Sequence, residues 1–289
     1  QARAAFLDHT RRHEHVEQAC ETADRAIEAA PDWPEPYIAM ALARYNGMQF
    51  NPALEALGEA LERAPDFSEA HDLRGRILVE IGPLERAIRH LGRALELNPY
   101  LFIARWDLAR AHALLEDWER VDELMAKPVD PGTPSVLRYA NRTRFDMWRE
   151  EPQWLDQPDE PSIPEGSDFD RLTAVMRAVT RRGTLTDEQT EELDATVDQA
   201  NSDSRYLSLQ YQFRTEIAAR AGRSEYAADM LDSAVDAGLV DVNWLQCCPL
   251  LDELEGTEAW ERAHQTITTR VAKIFAEETQ TGEPWPTGR

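Results

Sequence analysis

The sequence predicts an all-α fold: an α-solenoid of stacked helical hairpins followed by a second helical segment. Three observations lead there. Pro31, Pro65 and Pro99 stand 34 residues apart twice in succession, the period of a two-helix unit that cannot bury its apolar face alone and must stack on its neighbours. Small residues recur in phase with the prolines: Ala41, Gly75 and Ala109 in the first helix of each unit, and Ala53 with Ala87, then Ala60 with Ala94, in the second. A larger side chain at such points would hold two helix backbones apart; only Val121 breaks the set. Finally, alanine, leucine, arginine and glutamate dominate, apolar residues recur at helical spacing, and β-branched runs are scarce.

Taken in order, residues 34–67 align without a gap over 68–101, and both over the segment that starts at Phe102. Upstream, Ala19 and Ala26 fit the second helix of a first unit running from the start of the chain. Each closing proline follows a helical run that it cannot continue, and an acidic or aromatic residue precedes the next helix. Pro34 and Pro36 stand at a helix mouth, where a missing amide proton costs little.

This pattern resembles the tetratricopeptide repeat family, specifically over 34–101, on to about 127, and more loosely before Pro31. The resemblance implies a protein-binding scaffold whose concave face is lined by the first helix of each unit. The family's clamp for C-terminal carboxylates of chaperones needs lysine and asparagine, but Ile38, Leu42, Leu73, Ile103 and Asp107 occupy the corresponding places, which argues against that ligand.

Beyond Leu124 the pattern stops at Lys127-Pro128, and Pro131-Gly132-Thr133-Pro134 punctuates a loop. A helix over 135–149 offers Leu137, Phe145 and Trp148 to cap the exposed end of the array. Between Glu151 and Asp170, four prolines among acidic residues read as a connector, either solvated or packed extended along the array through Trp154 and Leu155. Helices resume over 169–182, again at Thr186-Asp187-Glu188 with N-capping chemistry, and over 205–221 and 224–237, the last two forming a degenerate hairpin turned at Gly222. A final helix spans 258 to about 278. The expected organisation is an array over 1–130, a cap and connector over 131–166, and a C-terminal helical segment over 167–289. Ala237-Gly238-Leu239, Trp244-Leu245, Cys248-Pro249-Leu250-Leu251 and Trp260 make this last region similar to C-terminal repeat regions of bacterial multidomain signalling proteins, such as serine/threonine kinases. That likeness implies a regulatory or partner-binding region; no kinase motif occurs.

Composition narrows the function classes. A formal net charge of −23 over 289 residues repels phosphate backbones, and no basic stripe offsets it, so direct nucleic-acid binding is disfavoured. Lys127 and Lys273 are the only lysines, so nearly all positive charge is arginine. No apolar run approaches the roughly 20 residues that span a bilayer, and no secretory signal is visible, so a cytoplasmic location is expected. Gln1 in place of an initiator methionine suggests a processed product or a piece of a larger protein. Cys20, Cys247 and Cys248 lack a disulfide framework and are expected as reduced thiols, with a vicinal 247–248 redox switch as the alternative.

The 34-residue register places Ile38, Leu42 and Tyr45, then Asp72 and Arg76, then Trp106 and Arg110 on the concave face. Two arrangements of the arginines fit this spacing. Arg76 and Arg110 could lie side by side and grip an acidic feature of a partner, with Tyr45 and Trp106 as flat apolar anchors. Alternatively Arg76 pairs with Asp72, and Arg110 with Asp107, along their own helices. His9, His13 and His15 with Glu14 and Glu17 form the one histidine cluster, but no third ligand stands at a diagnostic spacing, so a solvated helix end is expected and no metal. A glycine-flanked serine, a glycine-rich phosphate loop and a motif-placed cysteine–histidine pair are all missing, so neither catalysis nor a cofactor is expected. Two readings of function follow: a scaffold that takes a peptide or helix of a partner in its groove, or a regulatory segment or subunit of a larger signalling or effector enzyme.

Overall fold

The computed structural model describes residues 12–126, 135–155, 168–197 and 204–278, with backbone alone at 12–15, 135–137, 168–169 and 277–278. It is all-α, with no strand among the described residues. The helices are α1 (Arg12–Ala29), α2 (Pro34–Asn46), α3 (Phe50–Arg63), α4 (Ser68–Ile81), α5 (Leu84–Leu97), α6 (Phe102–Leu114), α7 (Trp118–Ala126) and α8 (Ser135–Trp148). There follow α9 (Asp168–Arg182), α10 (Asp187–Ala195), α11 (Ser204–Arg220), α12 (Ser224–Asp236), α13 (Val242–Cys247), a 3-10 helix (Pro249–Leu254) and α14 (Glu258–Glu278).

Helices α2 and α3, α4 and α5, and α6 and α7 pair as successive hairpins. The in-phase small residues are buried inside them: Ala41, Ala53, Ala60, Ala87, Ala94 and Ala109 are all fully enclosed, as is Val121. At Gly75 the approach is closest, since a methyl group there would lie 2.5 Å from Leu91 Cγ. The turns also keep the period. Met48 and Glu116, two repeats apart, both adopt left-handed backbone (φ 61° and 56°) after a first helix.

A second periodic device was not read from the sequence. Tyr37 Oη donates to Pro31 O at 3.1 Å, His71 Nε2 to Pro65 O at 2.8 Å and Arg105 Nη2 to Pro99 O at 2.7 Å. Residues 37, 71 and 105 occupy one position of the repeat, so three unlike side chains satisfy the same free carbonyl at the end of the preceding helix.

The first helix departs from the expected phase. Ala19 is exposed and Ala26 half-buried, whereas Cys20 and Ala23 are buried; α1 turns a neighbouring stripe toward α2 because Cys20, Ala23 and Ile27 align with Val16 on one helical face. Asp146 accepts from Gln153 N and Trp154 N at 2.8 Å each, Leu155 O accepts from Arg177 and Arg181, and Arg149 stacks on Trp154. Residues 151–155 are thus docked against α8 and α9 rather than solvated; 156–167 lie outside the described residues. Of the residues offered for the cap, Phe145 and Trp148 are buried, and the side chain of Leu137 is outside those described.

In the C-terminal segment, Thr186 caps α10 with a full capping box to Gln189, and Gly222, at φ 67°, turns the α11–α12 hairpin. Helix α11 is enclosed nearly all round: Ser208, Gln210, Gln212, Arg214, Thr215 and Glu216 are buried along with Ile217 and Ala218. One apolar core runs from Leu91, Leu108 and Leu124 in the hairpins into Trp244, Leu245 and Leu251 of the C-terminal segment, and a second joins Phe50 and Leu57 to Val240 and Phe275.

Candidate functional site: a charged seam on the inner helices

The first helices of the hairpins, α2, α4 and α6, face α11 and α13. Three carboxylates and three guanidiniums meet at this seam. Arg205, at the start of α11, lies over the Tyr45 ring with its guanidinium carbon 3.9 Å from the ring centroid. It donates to Glu80 and to the Tyr45 hydroxyl, with Nη1 3.1 Å from Glu80 Oε2, and Tyr45 Oη donates in turn to Glu80 Oε1 at 2.7 Å. Next along, Arg76 Nε sits 3.2 Å from Asp107 Oδ2. Farther still, Arg110 pairs with Asp241, whose carboxylate also accepts from Gln212 at 3.2 Å and caps α13 through Trp244 N at 3.0 Å. Two residues beyond, Asn243 Nδ2 donates to the last carbonyls of α4, Val79 O at 3.0 Å and Gly82 O at 2.7 Å.

These partners set the protonation of the seam. Burial raises the carboxyls of Asp107 and Asp241 above the ordinary aspartate range, against the pull of Arg76 and Arg110. For Glu80 burial acts upward as well, but Arg205 and the hydrogen bonds from Arg205 and Tyr45 outweigh it and leave the carboxyl below its usual value. Burial raises the Tyr45 phenol. Arg110 loses solvation, yet Asp241 holds its charge more firmly than in water.

Each residue expected on the concave face can now be placed. Tyr45 and Trp106 are buried, Trp106 packed edge-on against Phe102 at 4.9 Å, so neither stands open as an anchor. Ile38 and Leu42 are half-buried against the core of the first hairpins. Asp72 is half-buried and adds negative charge beside Arg76. Arg76 and Arg110 both bear on Asp107. Arg76 reaches across to Asp107 of α6, and Arg110 to Asp241 of the C-terminal segment. The chain's own α11 and α13 therefore lie where an open groove was expected.

Glu80, Arg205, Asp241 and Asn243 were missed. Glu80 occupies the repeat position of Asn46 and Leu114, so periodicity gives it no distinction, and the other three stand far from it in sequence. Asp241 did carry a signal, an N-cap residue directly before the apolar Val242 and Trp244.

A second polar centre backs the seam. Glu216 is fully buried and accepts from Trp244 Nε1 at 2.7 Å, Trp148 Nε1 at 2.9 Å and Arg144 Nε at 3.0 Å. It ties the cap helix α8 to α11 and α13. Cys248 is buried beside it with its thiol pushed well up by burial, and no disulfide joins Cys20, Cys247 and Cys248. Among the described residues, no group of three histidine, cysteine or acidic side chains gathers as a metal site; His9 lies outside them, as do the side chains of His13 and His15. No helix among the described residues is long and apolar enough to cross a membrane. A scan of the sequence against protein-family models gives no match, and a search of curated proteins gives no significant one.

Proposed function

We propose that this chain is a non-enzymatic protein-interaction module, an α-solenoid of tetratricopeptide type whose inner helices take a helical segment with an acidic N-terminus. The observation that carries this reading is the manner in which α13 is held. Asp241 at its N-cap meets Arg110, and Asn243 meets the end of α4; a partner helix with the same two groups, two residues apart, would find the same donors and acceptors. Apolar burial beside these contacts, at roughly 25 cal/mol per Å², supplies affinity while the charged pairs select the segment.

One observation favours a regulatory version of the same activity. The inner face is already covered by the chain's own C-terminal segment, so binding in trans competes with binding in cis. That is the arrangement expected of a regulatory segment or subunit of a larger signalling protein, controlled by occlusion.

The test uses a synthetic peptide of residues 238–256 and the full chain carrying Asp241→Arg with Asn243→Ala. With circular dichroism showing the helices intact, the double variant is expected to bind the peptide saturably and the unaltered chain at least about tenfold more weakly, because its own segment competes. Adding Arg110→Glu to the double variant should abolish capture. Absence of capture by the folded double variant, or capture indifferent to Arg110→Glu, would overturn the proposal.

A further inference from the structure

A cleft of about 440 Å³ opens beside the seam, between the α2–α3 turn, the start of α11, the α12–α13 turn and α14. Its size is that of a small-ligand site. Met48, Phe50, Val240 and Ile274 furnish apolar walls. The charges are unusual for this protein. In a chain with 54 acidic and 31 basic residues, the cleft is lined by Arg205, Arg270 and Lys273 against a single acid, Asp236.

The three cations differ in what they have left to offer. Arg205 is committed to Glu80 and Tyr45. Arg270 is anchored through one nitrogen alone: Nη1 donates to Val235 O at 2.8 Å and Leu239 O at 2.9 Å, the free carbonyls after α12. Its remaining donors have no protein partner among the described residues. Lys273 is exposed and makes no ion pair among the described residues. Residues three apart on a helix share a face, so the open edge of Arg270 and the ammonium of Lys273 stand together at the rim of an apolar hollow.

We infer that this cleft binds a small amphipathic anion: a carboxylate or phosphate head held by Arg270 and Lys273, with a short apolar body against Met48, Phe50, Val240 and Ile274. The fixed end of Arg270 orients its guanidinium before the ligand arrives, so little freedom is lost on binding. The head group needs no desolvated partner deeper in the cleft, because Asp236 is exposed and leaves the rim net positive.

Octanoate is the probe, with octyl phosphate to distinguish the two head groups and octanamide as the uncharged control, read by calorimetry and by the methyl resonances of Met48 and Ile274. Octanoate or octyl phosphate should bind at one saturable site, with octanamide about tenfold weaker. Lys273→Glu, at an exposed position, should weaken binding of the anion by about fivefold or more. Ser204→Trp, which places a bulky side chain in the cleft mouth, should abolish the methyl shifts while the far-ultraviolet spectrum stays unchanged. Equal affinity for octanoate and octanamide, an unaltered constant in Lys273→Glu, or no saturable shift for either anion up to about 1 mM would overturn the inference.

Discussion

His71 and His90 show how far one residue's protonation reaches into the hairpins. Their Nδ1 atoms lie 2.9 Å apart, and His71 Nε2 is 2.8 Å from Pro65 O. A carbonyl only accepts, so His71 carries its proton on Nε2, its Nδ1 accepts, and His90 donates from Nδ1. Burial first, and then Arg74, His71, Arg89 and Arg86, keep His90 neutral, its pKa lowered to about 4 from 6.5. Between those values the unfolded chain binds the proton that the folded chain refuses. The contribution of His90 is thus complete above pH 6.5 and lost as the pH falls toward 4, up to roughly 3 kcal/mol. Replacing His90→Leu should flatten the pH dependence of urea unfolding across that window relative to the unaltered chain; parallel profiles would contradict this assignment. The sequence revealed the apolar and small positions because each does the same work in every unit. Position 37/71/105 escaped because tyrosine, histidine and arginine share only a donor, and a reading by residue type cannot align them.

At the scale of the element, the hairpins follow from spacing and the C-terminal helices only partly do. Gly75 is the sharpest case. A β-carbon there would meet Leu91 Cγ at 2.5 Å and Leu91 N at 3.1 Å, so Gly75→Ala must push α4 and α5 apart. The expected loss is about 1 to 3 kcal/mol in urea unfolding, despite the better helix propensity of alanine. Leu91→Ala should relieve part of it, so the two changes together should cost less than their sum; additive losses would mean that the close approach is not what limits this position. Helix α11 was legible as a helix and illegible as a centre. Its buried face includes Gln210, Gln212, Arg214, Thr215 and Glu216. Gln210 and Thr215 find partners within α11, whereas Gln212 donates to Asp241 at 3.2 Å, Arg214 reaches Thr196 Oγ1 at 2.6 Å and Glu216 accepts from Trp148 and Trp244. Such residues ordinarily mark a solvated face, and nothing local to α11 announces that distant partners will enclose it.

For the whole molecule, the decisive feature is that the last third of the chain lies on the inner helices of the first. Apolar packing carries the attraction, through Trp244, Leu245 and Leu251 on one core and Val240 and Phe275 on the other. The ionic seam adds register more than net stability, since three guanidiniums and three carboxylates all lose solvation to meet there. Removing one partner leaves the other stranded, which is why a slipped or foreign segment is disfavoured unless it brings matching charges. The sequence reading could not see what covers these helices, because the contacts of Arg110 with Asp241 and Arg205 with Glu80 span 131 and 125 residues with no repeat to link them. A double-mutant cycle on Arg110→Gln and Asp241→Asn in the full chain, followed by urea unfolding, measures this closure most directly. The seam predicts a coupling energy of at least about 1 kcal/mol between the two positions. Strictly additive losses, with the double variant as unstable as the sum of the singles, would show that the C-terminal segment does not rest on the inner helices.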